Sequence, residues 1–416
     1  MNPMYPAVKR AIGMSVGLMV FLSEGAYAQS DLQAVCRTID KEFQERMADR
    51  QIVGGALSVV QPGKTILESH FGWADQEKQI PADQDTIYVW GSITKTLTCI
   101  AMMQLQWKGR LNINEPVVKY IPAFGHLNNP YGDTDKITLK MLMSHTAGLQ
   151  NASFIIPLSW HKPWPRWEQL EPLFNYINVE NPPGTKYSYS NLSLLLVGRV
   201  IEVVTYDDYE VYIDKNIFKP LQMYSSYFDA TPYHLTPHKA QGYYPYEQGK
   251  ERRLYDPDID QGVTTSNGGL KSSIADFNKY IQFLLGSQDE QVQKVYDGVL
   301  PRAILETMWE PVHPFENPER GGIGLGFHLY TDLKHPYIGH TGSANGFISQ
   351  FMIHRESKTA YFMTGNTANS GAVHRPIINA IDQTLIPLLK KTELSTSTEN
   401  PSQPTAASQV KRKPQI

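Results

Sequence analysis

Residues that favour β-strands crowd the two ends of this chain and are sparse between them. Near the start, Gly55 to Gln61 carries Ala56, Leu57, Val59 and Val60. Pro62-Gly63 then supplies a turn, and Thr65 to Phe71 returns, a pattern that predicts an antiparallel hairpin. Strand-like runs come back only after Gly321, as Leu325 to Tyr330, Tyr337 to His340, Phe347 to His354 and Thr359 to Thr364, which reads as a meander. A two-stranded hairpin is marginal alone, so the two ends are expected to build one sheet. The expected fold class is therefore α/β in the α+β sense. An antiparallel β-sheet is flanked by helices, and a mostly helical domain is inserted between its N- and C-terminal parts.

The inserted part, residues 91–321, holds helix-like segments at Ile93 to Trp107, Thr138 to Met143, Leu192 to Val204 and Ile274 to Leu285. Between them, Leu158 to Trp167 is broken by prolines and reads as a loop. Before the hairpin, Leu32, Val35, Ile39, Phe43 and Met47 recur at helical spacing, and a closing helix is expected from Pro376 to Leu389. The sheet subdomain is thus placed at residues 29–90 plus 322–390. Residues 391–416 are rich in Ser, Thr, Pro and Gln, end in a basic cluster, and are expected to be disordered.

Residues 1–28 read as an export signal. Lys9 and Arg10 precede an apolar run from Ala11 to Leu22 that is too short to span a bilayer, and Ala26-Tyr27-Ala28 offers small residues for cleavage before Gln29. The expected location is periplasmic or secreted, without stable membrane insertion after cleavage; a retained anchor is the alternative. In an oxidising compartment Cys36 and Cys99 either pair or stay as buried thiols. Lys and Arg number 38 against 41 Asp and Glu, with no basic stripe, which argues against a nucleic-acid partner. The twelve histidines are scattered without metal-site spacing, so no metal site is expected.

Three short constellations carry chemistry. Ser92 and Lys95 stand three apart at the start of an apolar-periodic segment, so a helix there sets both on one face. The helix dipole favours an oxyanion near Ser92, and burial of Lys95 would leave its amine free to take the hydroxyl proton. A second Ser-x-x-Lys, Ser159 to Lys162, lies in the proline-broken loop and lacks such a helix. Tyr189-Ser190-Asn191 precedes another apolar helix. A Tyr and an Asn two apart in a turn can enter one cleft, Tyr189 as a tyrosinate base and Asn191 to hold a substrate carbonyl and Lys95. The decoy Tyr176-Ile177-Asn178 opens no such helix. Finally, His340-Thr341-Gly342 ends a strand, where Gly342 lets a backbone approach and the amide of Ser343 can join that of Ser92 as an oxyanion donor.

In this order the motifs resemble those of the serine β-lactamase and D-alanyl-D-alanine carboxypeptidase superfamily, with the class C branch and its esterase and peptidase relatives nearest. Leu142-Met143-Ser144-His145-Thr146-Ala147-Gly148-Leu149, Gly268 to Ser273 and Gly324-Leu325-Gly326-Phe327 are similar too, so the resemblance covers roughly Ile52 to Leu389. It implies a serine hydrolase working through an acyl-enzyme on an ester, an amide or a D-amino-acid peptide. Ser92 would be the nucleophile, Lys95 and Tyr189 would share the proton work, and Asn191, His340, Thr341, Gly342 and Ser343 would bind substrate or oxyanion. A β-lactamase or a non-catalytic penicillin-binding-like protein is the alternative. One departure bears on the substrate. His340 stands where Lys is usual, and His carries full charge only when protonated. The aromatics Trp160, Trp164, Trp167, Tyr243, Tyr244 and Tyr246 either line the cleft or cover a core edge.

Overall fold

The computed structural model describes residues 30–151, 166–248, 250, 252–255 and 261–390. Twelve strands form two antiparallel sheets. The larger has the order β3-β2-β1-β12-β11-β10-β9-β8-β7. Its members are β1 (Gly54–Gln61), β2 (Lys64–Asp75), β3 (Ile80–Pro81), β7 (His313–Pro314), β8 (Gly321–Ile323), β9 (His328–Tyr330), β10 (Tyr337–Ala344), β11 (Phe347–His354) and β12 (Thr359–Gly365). The β1–β12 pairing (Ala56 opposite Thr364, Ser58 opposite Phe362) is the seam that joins the two ends of the chain. The return to the sheet comes at His313, ahead of the position 322 expected from the sequence.

The central strands are buried on both faces, and period-two alternation divides their side chains between two cores. Leu57, Val59, Met352, Tyr361 and Met363 pack with Ile39, Phe43 and Met47 of helix α1 (residues 30–49) and with Ile377 and Ile381 of the C-terminal helix. Ala56, Val60, Phe351 and Phe362 face the helical part with Trp90, Ile93, Leu97 and Phe277. The C-terminal helix starts at Gly371, five residues before the expected Pro376, which lies inside it. The expected loop up to Trp167 also needs correction. Trp167 opens the short helix Trp167–Leu170 and is buried, while Trp160, Trp164, Ser159 and Lys162 lie outside the described residues.

The inserted part also holds strands: β5 (Ser226–Tyr227) and β6 (Lys271–Ser273) join β4 (Ile87–Val89), which precedes it, in a small second sheet of order β4-β6-β5. Directly after β4, buried Trp90 stacks on Phe277 with ring centroids 3.6 Å apart and donates its indole N–H to Ser272 O at 2.9 Å. The residues next to Trp90 are thus clamped between the two sheets. No helix among the described residues is long and apolar enough to cross a membrane.

Candidate active site

Ser92 sits in the 3₁₀ turn Gly91–Ile93, which runs straight into helix α2 (Thr94–Trp107). Gly91 has φ +55, a left-handed conformation that glycine adopts without strain. A Cβ there would lie 2.7 Å from Ser343 N, so the missing side chain is what lets the turn touch β10. Thr94 Oγ1 donates to Gly91 O at 2.7 Å and accepts from Leu270 N at 3.0 Å, closing the turn. The same closeness recurs one step along. A Cβ on Gly342 would overlap Trp90 O, and Ser349 Oγ donates to that carbonyl at 2.9 Å. The backbones of Ser92 and Ser343 are therefore held side by side, with the expected pair of oxyanion donors on adjacent segments.

Lys95, one helical turn after Ser92, is fully buried. Its Nζ donates to Ser92 Oγ at 3.0 Å and to Asn267 O at 2.6 Å. No carboxylate pairs with it among the described residues, and burial pulls its pKa down to about 7. Tyr189, 97 residues further on, donates its hydroxyl to Ser92 Oγ at 2.9 Å. Burial pushes its pKa up to about 12, against the lowering effect of the Ser92 hydrogen bond, so at neutral pH it is a phenol. That corrects the expectation of a tyrosinate base: of the two groups at Ser92, the amine of Lys95 is the better proton acceptor.

Tyr189 is aimed by its neighbours. Ser190 caps the helix Asn191–Thr205, accepting from Ser193 N at 3.3 Å, and its own N–H donates to His145 Nδ1 at 3.1 Å. The His145 ring lies against that of Tyr189 with centroids 4.5 Å apart. His145 thus gives a physical role to the sequence phrase around it, a role that its residue types alone did not reveal. The contact to Lys95 expected of Asn191 falls to another residue: besides Ser92, Lys95 donates to the carbonyl of Asn267, while the backbone N–H of Asn191 donates to Asn151 Oδ1 at 3.1 Å. A backbone carbonyl leaves no trace in residue identity, which is why Asn267 went unread.

His340 is likewise not where a strand-end substrate contact would put it. It is 1% exposed, its Nδ1–H donates to Thr341 O at 2.6 Å, and its Nε2 has no partner among the described residues. Its ring stacks on His328 with centroids 4.4 Å apart and a 21° tilt. Burial, His328 and Lys95 together hold its pKa well below the usual histidine value, so it is neutral at pH 7. Thr341, on the opposite face of β10, is exposed. A cavity of about 920 Å³ opens beside these residues, lined among others by Tyr187, Tyr189, His328, Tyr330 and Thr341. The aromatic loop at 243–246 divides: Tyr243 is fully buried and donates to Glu77 Oε2 at 2.6 Å, whereas Tyr246 is exposed. Among the described residues no group of three or more His, Cys, Asp or Glu could hold a metal ion.

The chain is similar to known proteins in sequence and in fold. Protein flp of Staphylococcus aureus (strain MW2) is 27% identical over 328 residues, which is 79% of this chain. The match spans 62% of that relative's length. A class C beta-lactamase structure superposes with a TM-score of 0.69 at 19% identity, covering 85% of this chain and 97% of the other. The D-amino acid amidase from Ochrobactrum anthropi SV3, complexed with L-phenylalanine amide, gives 0.68 at 21% identity, covering 87% and 99%. These two likenesses establish the fold. The Beta-lactamase family model matches residues 39–385, most of the chain, and the chain belongs to that family of serine hydrolases.

Proposed function

We propose that the protein is an exported hydrolase that cleaves an ester, an amide or a D-amino-acid peptide through an acyl-enzyme on Ser92. One observation carries this reading: Ser92 Oγ receives hydrogen bonds from a buried amine and a partly buried phenol at 3.0 and 2.9 Å. In the reaction the neutral Lys95 amine takes the Ser92 proton as Oγ bonds to the substrate carbonyl carbon. The charge moves to the carbonyl oxygen, where the N–H groups of Ser92 and Ser343 stabilise it. The C–O or C–N bond breaks as the leaving group takes the Tyr189 phenol proton, and the Lys95 ammonium returns one to Tyr189. Water, deprotonated by the same pair, attacks the acyl-enzyme and releases the acid. Pre-placement of both groups explains how a serine, a weak nucleophile at its free pKa, is activated without a carboxylate.

The D-amino acid amidase shares the fold and supports an uncharged ester or amide as substrate. The class C enzyme supports a β-lactam as the second reading. A panel of nitrocefin, p-nitrophenyl esters, a D-alanyl amide and a D-Ala-D-Ala peptide, each with Ser92→Ala as control, decides among them. The supporting result is turnover of at least one by the wild type alone, with a fluorophosphonate or fluorescent penicillin adduct on the Ser92 peptide. Folded protein that takes neither label and turns over nothing overturns the proposal. Export is checked by the mature N-terminus, expected at Gln29.

A further inference from the structure

We propose that His328, not His340, is the histidine that meets the substrate, and that it selects acyl donors whose group beyond the scissile bond is uncharged. This rests on the hydrolase reading above. The expected contact at this wall was His340, the residue that replaces the usual lysine. His340 is buried and absent from the cavity wall, whereas His328 lines that wall between Tyr187 and Tyr330. The two imidazoles stack nearly parallel, and of the pair it is His328 that lines the cavity. His328 thus inherits the position from which a third-motif side chain would address a ligand.

The surroundings of His328 suit a neutral ring. Its Nδ1 lies 3.0 Å from Tyr330 Oη and its Nε2 lies 3.4 Å from Tyr187 Oη. Hydroxyls donate or accept as needed, so both ring nitrogens are met without a charge. The Phe315 ring packs edge-on at 5.5 Å, and His340 covers the other side. No carboxylate bonds to it among the described residues. Burial and the nearby Lys95 pull its pKa down to about 4. The 3.4 Å contact to Tyr187 is long for a hydrogen bond and is the one a substrate carbonyl, hydroxyl or amide can replace.

Cations line the same cavity: Arg375 and Arg320 share Asp332, at 3.3 and 3.7 Å, and exposed Lys186 borders it together with Glu316. Lys95 Nζ, 5.0 Å from the centre of the Tyr189 ring, is taken up by Ser92 and Asn267 and, with a pKa of about 7, does not offer a carboxylate the fixed positive charge of an ordinary lysine. A buried, unpaired carboxylate is costly, so substrates that bring none are favoured.

The test compares two substrates: a D-lactate-ending depsipeptide and the same compound with its terminal carboxylate capped as an amide. Wild-type kcat/KM is expected to favour the capped form by tenfold or more at pH 7. His328→Lys should move the ratio at least tenfold toward the carboxylate, while His340→Lys should not. As pH falls from 6 toward 4 the wild-type ratio should also narrow, because His328 gains charge, and His328→Gln should abolish that narrowing. Loss of neutral Lys95 affects both substrates alike and cancels in the ratio. An unmoved ratio in folded His328→Lys, or a larger shift from His340→Lys, overturns the inference. If the lysine variant fails to fold, a wild-type ratio that stays flat with pH, or one that narrows equally in His328→Gln, does so. Failure of the wild type to acylate at Ser92 would instead remove the underlying hydrolase reading.

Discussion

Gly342 runs against Trp90 so closely that a Cβ at position 342 would overlap the Trp90 carbonyl oxygen. The contact fixes the distance between the Ser92 turn and β10, and with it the pairing of the Ser92 and Ser343 amides. Gly342→Ala must push the strand and turn apart. Since an oxyanion donor is worth about a 100- to 1000-fold change in kcat, a loss of that order is expected with a smaller change in KM. Steady-state kinetics on the best ester of the panel measures it. Near wild-type kcat in a folded Gly342→Ala protein would show that this contact does not set the oxyanion site.

The assignment of the base makes a prediction for pH. If Lys95 must be neutral to take the Ser92 proton, kcat/KM should rise with pH through an apparent pKa near 7. Below it, activity should fall about tenfold per pH unit. No basic limb from Tyr189 is expected below about 12, since burial keeps it a phenol. A tyrosinate base would instead give a profile still climbing above pH 9. Tyr189→Phe should keep the limb near 7 while lowering kcat by about 100-fold, through loss of proton delivery to the leaving group.

Much of this was legible in the sequence because the decisive features are periodic or local. Runs of apolar and β-forming residues in Gly55 to Gln61 and Phe347 to His354 carried the sheet, and the apolar spacing after Ser92 and Asn191 carried the two helices that present Ser92 and Tyr189. What stayed hidden depends on tertiary contact. Burial of Lys95 and Tyr189 sets which one ionises, and burial cannot be read from a Ser-x-x-Lys spacing. The carbonyl of Asn267 and the stack of His328 on His340 join segments far apart in the chain. The last helix begins ahead of Pro376, although an interior proline lacks an N–H and crowds the carbonyl four residues back, because buried Val373, Ile377 and Ile378 hold it on both sides of the proline.

The two cysteines are separated by the sheet. Cys36 belongs to the core under α1, with Sγ directed to Ile66 O, and Cys99 to the core under α2, with Sγ directed to Met143 O. A disulfide needs Cα atoms within about 7 Å, and two residues packed into separate cores on opposite sheet faces do not meet that condition. Both thiols are free and buried. The expected result is two reactive thiols per chain in denaturant without reductant, and slow reaction in the native state. A mass two hydrogen atoms short of the reduced value would contradict it.

A final prediction separates the catalytic role of Lys95 from its structural cost. An unfolded lysine has a pKa of about 10.4, and in the fold Lys95 is held near 7. Between those values the unfolded chain binds a proton that the folded chain does not, so stability rises with pH across the window. Below pH 7 both states are protonated and the burial cost is fully present; above about 10.4 both are neutral and it is gone. Lys95→Met removes this term. It also leaves Asn267 O without its donor, at roughly 1–3 kcal/mol, but that loss does not vary with pH. The stability of Lys95→Met relative to wild type should therefore be highest at pH 7 and below, and should decline by about 1.4 kcal/mol per unit from pH 7 to 10. Urea melts of both proteins at pH 7, 8 and 9 read the difference directly, whatever the substrate. A difference that stays constant with pH would mean that Lys95 keeps its proton in the fold, and the amine could not then be the base.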